Sequence, residues 1–139
     1  MELPLPTFDR PLPIEPEEIT FAFMVDYNEW NDFAVASLGD DMNFDPAENA
    51  YDALIAKYCR PGKQRQNLAV GGDSHSPEAS EIVDVKGKGD RRKVTVRETK
   101  PFGVHSTYVF DFIREKGRWI LEELYFVDEG VGNRRVKCL

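Results

Sequence analysis

The sequence predicts an α+β domain in which N-terminal helices pack on one face of an antiparallel sheet. Apolar residues recur with helical spacing in the first half of the chain, and they alternate with a period of two from residue 81 onward. The chain has 139 residues, of which 41 % are hydrophobic, enough for one domain with its own core. We expect a proline-rich extended arm over residues 1–15 and a single domain over residues 16–139.

The first helix is predicted to begin at Pro16. Five prolines within the first 16 residues favour a polyproline-like arm up to that point. Pro16 suits the first helical position, and Glu17 and Glu18 then lie where the helix dipole favours negative charge. The spacing of the apolar residues that follow predicts an amphipathic helix ending near Gly39: Ile19, Phe23, Met24, Tyr27, Trp30, Ala34 and Leu38.

A second helix is predicted to begin at Asp45. Asp45 would cap it, Pro46 would take the first helical position, and Glu48 would complete a capping box. Apolar side chains recur at helical spacing until Pro61 ends the helix, and residues 61–80 are predicted to be mainly loop.

Four strands are predicted from runs of β-branched and aromatic residues. Glycine-containing connections at residues 87–90 and 115–118 are short, so the strands that they join should be antiparallel neighbours. The predicted strands span residues 82–86, 93–99, 107–113 and 119–127.

The last predicted hairpin holds the carboxylates that acid–base chemistry would need. If Arg114 lies opposite Trp119, then Asp111 faces Glu122, and two facing carboxylates raise the pKa of one of them. The other hairpin register breaks this pair, and the sequence does not choose between the two. A solvated sheet rim explains the same residues.

Charge is divided unevenly along the chain. Residues 1–60 carry a net charge of −10 and residues 61–139 carry +3, for a total of −7. A nucleic-acid partner is not expected, because such proteins normally present a basic face. The acidic half suits solubility or a basic protein partner. The sequence also lacks an apolar run of about 18 residues, so we expect no membrane-spanning helix.

The metal-ligating residue types are sparse. His75 and His105 are the only histidines, and they do not cluster with cysteines or carboxylates at the spacing of a zinc site. We expect no metal and no cofactor. Cys59 and Cys138 are too few for a disulfide framework, so we expect reduced thiols and a cytoplasmic protein.

Four segments resemble immunity proteins of bacterial toxin systems that have the nuclear-transport-factor-two-like, or cystatin-like, fold: residues 23–31, 50–59, 108–114 and 117–127. The resemblance implies a cone, in which a curved sheet wraps around the helices. It also implies that the protein binds a cognate toxin and neutralises it by stoichiometric occlusion, as a non-enzyme. The family brings no catalytic residues to carry over.

The same fold also hosts enzymes of the ketosteroid-isomerase-like and dehydratase-like types, which need an acid or base inside the cone. Here such a pocket would draw on Tyr108, Asp111, Glu123 and Tyr125. A homodimer with a carrier or scaffolding role is a third interpretation.

The connection between the helices is the predicted partner surface. Asp40, Asp41 and Asp45 surround Phe44, and acidic residues around an apolar anchor suit a basic partner such as a nuclease. The competing interpretation is structural: Asp45 only caps the second helix, and Phe44 packs against it as a hydrophobic staple.

Overall fold

The computed structural model describes residues 5–38, 43–65, 75–128, 130, 132 and 134–139. The described residues include two α-helices, five strands and a short 3-10 turn at Pro101–Gly103. The helices are α1 (Pro16–Ser37) and α2 (Asp45–Tyr58), and the strands are β1 (Ser80–Lys86), β2 (Arg91–Thr99), β3 (His105–Glu115), β4 (Arg118–Asp128) and β5 (Arg134–Lys137).

The five strands form one open sheet in the order β1-β2-β3-β4-β5, and all neighbours are antiparallel. The predicted α+β class is confirmed, and two helices on one face of this sheet are consistent with the cone fold. β5 was not predicted, because its four exposed residues include a single apolar side chain, Val136, and so carry no apolar alternation.

The core lies between the helices and the inner face of the sheet. Each helix turns one apolar stripe inward, and the strands contribute alternate residues, as a half-buried sheet requires. The most deeply buried side chains are Ile19, Phe23, Met24 and Trp30 of α1, Leu54 and Tyr58 of α2, and Val94, Val96, Phe110, Phe112, Leu121 and Leu124 of the sheet.

The start of α2 differs from its prediction. The helix begins at Asp45 itself, and Phe44, the N-cap residue, makes no side-chain capping hydrogen bond. The predicted capping role of Asp45 is therefore wrong, because its backbone is already helical. Asn43 instead accepts a hydrogen bond from the Asp45 N–H through its side-chain Oδ1, at 3.1 Å.

A β-bulge at Glu122 sets the register of the β3–β4 hairpin. Arg114 lies opposite Trp119, one of the two registers that the sequence leaves open. The pairing then shifts by one residue, so Asp111 lies opposite Glu123, and its predicted pairing with Glu122 is wrong. β5 pairs only with the last four residues of β4, and the bulge lies in the part left as an edge, where bulges concentrate.

Asp26 joins three segments of the chain inside the protein. Its side chain is 1 % exposed and accepts from Tyr58 and Lys57 of α2 through Oδ2, at 2.6 and 2.7 Å. Arg10 of the N-terminal arm donates to Oδ1 at 3.0 Å. Because a buried carboxylate is expensive to desolvate, these three donors stabilise one relative placement of the arm and the two helices.

The helices run antiparallel, and this fixes which loops share an end of the sheet. Arg60, just after α2, pairs with Glu115 beside the β3–β4 turn. The start of α2 and the end of α1 therefore lie toward the opposite end. Asn28 of α1 donates to the carbonyl of His75 there, at 2.5 Å. We call this opposite end the loop end; it comprises residues 43–45, 75–79 and 100–104.

We expect Asp26→Asn to lower the free energy of unfolding by about 3–5 kcal/mol, because it leaves the Lys57 ammonium without its buried counter-charge. Urea denaturation measures the change. Glu29→Gln is the matched control, since Glu29 bonds the same Arg10 at 2.8 Å but is exposed to solvent. A loss for Asp26→Asn no larger than that of the control would contradict the role given to Asp26.

Candidate functional site

The four residues of the predicted interior acid–base pocket do not converge. Tyr108 belongs to the core on the helix side of the sheet. Asp111 lies on the outer face, because both of its strand neighbours are core residues. Tyr125 follows the core residue Leu124 and shares the outer face with Asp111. The Glu123 side chain points toward the segment that follows α2, where it pairs with Lys63.

Glu123 is held in an ion pair. Lys63, which follows α2, donates to its Oε2 at 2.8 Å, and the backbone N–H of Leu124 donates to Oε1 at 3.1 Å. Glu122, one residue earlier, bonds Arg91 at 2.9 Å across the outer face. The bulge thus directs two consecutive glutamates to different partners, and it explains how Glu123 is buried in a strand that also packs on the core.

Asp111 is the one buried polar side chain in the described part of the chain with an oxygen, Oδ1, that finds no hydrogen-bond partner. Burial raises the pKa of its carboxyl group, and the nearby Glu122 raises it further, whereas Lys93 opposes the shift. A raised pKa is typical of a catalytic carboxyl group. Asp111, however, lies on the outer face of the sheet, apart from Tyr108 and Glu123 of the predicted pocket.

His75 fills the space between α1 and the sheet. It lies in the segment 61–80 that was predicted to be mainly loop, yet it is only 5 % exposed. Its ring packs edge-on against Tyr108 and Tyr27, with centroids 4.6 and 4.7 Å away, and against Phe23 and Phe110 at 6.3 and 6.4 Å. Burial, helped by the charge of Lys100, lowers the pKa of His75 to about 3.

Glu98 holds His75 in this position. Its carboxylate is 1 % exposed and accepts the backbone N–H groups of His75 and Ser76 at 3.2 and 2.7 Å, while Lys100 pairs with it at 2.9 Å. The sequence carried a signal for this role, because Glu98 continues the inward alternation of Val94 and Val96 along β2. A hollow of about 410 Å³ opens beside the pair, lined by Ser76, Ala79, Glu98, Thr99, Lys100 and Pro101.

The predicted partner surface is described only in part. Asp40 and Asp41 lie outside the described residues. Phe44 is 40 % exposed and is not part of the core. Asp45 is exposed and neither caps the helix nor forms an ion pair within the described chain. The structural interpretation of Asp45 as a helix cap is therefore wrong.

Within the described residues, no group of three His, Cys, Asp or Glu side chains is arranged to hold a metal ion. No described helix is long and apolar enough to cross a membrane. Cys59 and Cys138 are unpaired, and burial raises their thiol pKa values to about 12 and about 11. Neither thiol is thus activated as a nucleophile.

We expect the protein to lose stability as the pH falls below about 6.5, the ordinary pKa of histidine. His75 has a pKa of about 3 in the folded state, so the unfolded chain binds more protons between these values, and unfolding becomes easier as the pH falls. The slope due to His75 approaches about 1.4 kcal/mol per pH unit. Urea unfolding between pH 7 and pH 5 measures it.

His75→Gln should remove this slope, whatever it does to the stability itself. His105→Gln, which changes an exposed histidine, should leave the slope intact and is the control. Equal slopes in the wild type and His75→Gln would mean that His75 is not buried as a neutral ring.

No protein-family model, no curated protein and no solved structure matches this chain. The likeness to immunity proteins therefore rests on the sequence segments quoted above, and function is inferred from the chain's own surfaces and buried groups.

Proposed function

We propose that this protein is an immunity protein that binds a basic toxin domain and neutralises it by stoichiometric occlusion. The observation that carries the proposal is the state of Phe44 and Asp45 at the start of α2. An aromatic side chain stays 40 % exposed beside a carboxylate that forms no ion pair with the described residues. An apolar anchor with an acidic neighbour is what a basic protein surface would bind.

The charge of the helical side supports a basic partner. Together, α1 and α2 carry eight acidic side chains and one basic one, so this side repels nucleic acid and attracts cations. Glu17, Glu18 and Asp32, like Asp45, form no ion pair within the described chain. A nuclease domain fits this surface, because a protein that binds an anionic polymer presents basic groups of its own.

Binding without turnover is favoured by the interior of the cone. The space between α1 and the sheet is filled by the His75 ring and its aromatic neighbours, and Tyr108, Asp111 and Glu123 point in different directions. An isomerase or dehydratase pocket would need these groups around one open cavity. The proposal includes a cytoplasmic location, where the unpaired Cys59 and Cys138 would stay reduced.

We expect Phe44→Ala and Asp45→Lys each to weaken binding of the toxin domain encoded next to this protein's gene. The first variant should raise the dissociation rate at any salt concentration, because it removes an apolar anchor. The second should lower the association rate and flatten its salt dependence, because it removes electrostatic attraction. Surface plasmon resonance at low and high salt separates the two effects.

Ile14→Ala and Glu81→Lys are the matched controls, since both residues are exposed and lie outside the loop end. No binding by the wild-type protein would contradict the proposed function. Wild-type binding with no change in either test variant would place the interface elsewhere.

We expect Asp111→Asn and Glu123→Gln to protect cells from the toxin as the wild-type protein does. Occlusion needs a surface and not a proton donor, so a folded variant should still inhibit at a one-to-one ratio. Titrating toxin activity against each purified variant measures the ratio. Inhibition by substoichiometric wild-type protein, lost in a variant that still binds toxin, would indicate catalysis instead.

A further inference from the structure

Phe102 is the most exposed large apolar side chain in the described part of the chain. It lies at the tip of the β2–β3 turn and is fully exposed. Val104, two residues later, is 61 % exposed. The ring of Phe102 makes no contribution to the core, so the fold by itself gives no reason for an aromatic residue here.

The backbone of Phe102 gives a second reason to expect that this residue serves binding and not folding. Its φ is +71°, in the left-handed region that a bulky residue adopts only under strain and that Gly or Asn adopts readily. A turn selected only for solubility and ease of folding would carry one of those residues. Phenylalanine is unfavourable here in both its exposure and its backbone conformation.

The turn is nevertheless closed by backbone hydrogen bonds. The Lys100 N–H donates to the Val104 carbonyl at 2.6 Å, and the Gly103 N–H donates to the Lys100 carbonyl at 3.2 Å. At its base, Lys100 pairs with the buried Glu98. The phenyl ring is therefore presented on a rigid support, which lowers the entropy lost when it enters a pocket.

Phe102 and Phe44 both lie toward the loop end. Pro101, which precedes Phe102, lines the hollow beside Glu98, and the start of α2 meets α1 where Trp30 donates to the Ala47 carbonyl. Three exposed carboxylates that form no ion pair within the described chain lie toward the same end: Asp32, Asp45 and Glu78. A protein partner that covers this end would meet two apolar side chains and these carboxylates, which suits a basic surface with apolar pockets.

We propose that Phe102 is a second anchor, which inserts into an apolar pocket of the basic protein partner and extends the Phe44 contact across the loop end. This rests on the proposed function and names a contact that the sequence did not indicate. Val104 would lie at the rim of that contact, since it is exposed on the same turn.

The test is Phe102→Gly, assayed with the same neighbouring toxin domain. Glycine removes the ring and relieves the left-handed backbone, so we expect the melting temperature to stay equal or rise while the affinity falls at least tenfold. The loss should appear in the dissociation rate and keep its size at high salt, because no charge changes. Phe102→Leu should recover part of the affinity, since it restores an apolar side chain.

Ile14→Gly is the matched control, because Ile14 is also highly exposed but lies on the N-terminal arm. Unchanged affinity in Phe102→Gly, with binding by the wild type, would overturn the anchor and leave the proposed function standing. No binding by the wild type would overturn both. A wild-type protein that is dimeric without toxin and becomes monomeric in Phe102→Gly would show that the ring contacts a second copy instead.

Discussion

The fold depends on one buried carboxylate. Asp26 of α1 takes hydrogen bonds from Tyr58 and Lys57 of α2 and from Arg10 of the arm, all within 3.0 Å. Removing any partner leaves charge or an unsatisfied oxygen in the interior, which is more costly than losing an exposed ion pair. The spacing of the two helices and the path of the arm are thus specified by the same few atoms.

Glu98 performs the corresponding task at the loop end. It also is buried and accepts two backbone N–H groups together with the Lys100 ammonium. Through these bonds it places the His75 ring between α1 and β3, where aromatic side chains surround it. The space between α1 and the sheet is therefore filled by the His75 ring and its aromatic neighbours.

At the loop end, exposed aromatic side chains lie on backbone segments that the fold holds in place. Phe44 follows the interhelix connection and precedes a helix, and Phe102 lies on a turn closed by two backbone hydrogen bonds. Loops held by a scaffold in this way carry function more often than the strands and helices that hold them. A binding role for this end is consistent with exposed apolar side chains on segments that the rest of the fold holds in place.

The sequence by itself determined the two helices, four of the five strands and the α+β class. These follow from local signals: apolar periods of 3.6 and 2, Pro at the start of each helix, and glycine in the hairpin turns. The proposal for Phe44 and Asp45 also starts from the sequence, since an acidic loop with one aromatic residue is visible without coordinates.

Only the tertiary structure decided which polar groups meet. The bulge at Glu122 lies in the part of β4 that β5 leaves unpaired, and no local pattern reports which part that is. Asp26 meets Tyr58 across 32 positions, and His75 meets Glu98 across 23. Such contacts arise because a buried charge must find donors wherever the packed chain brings them, and that placement is a property of the whole fold.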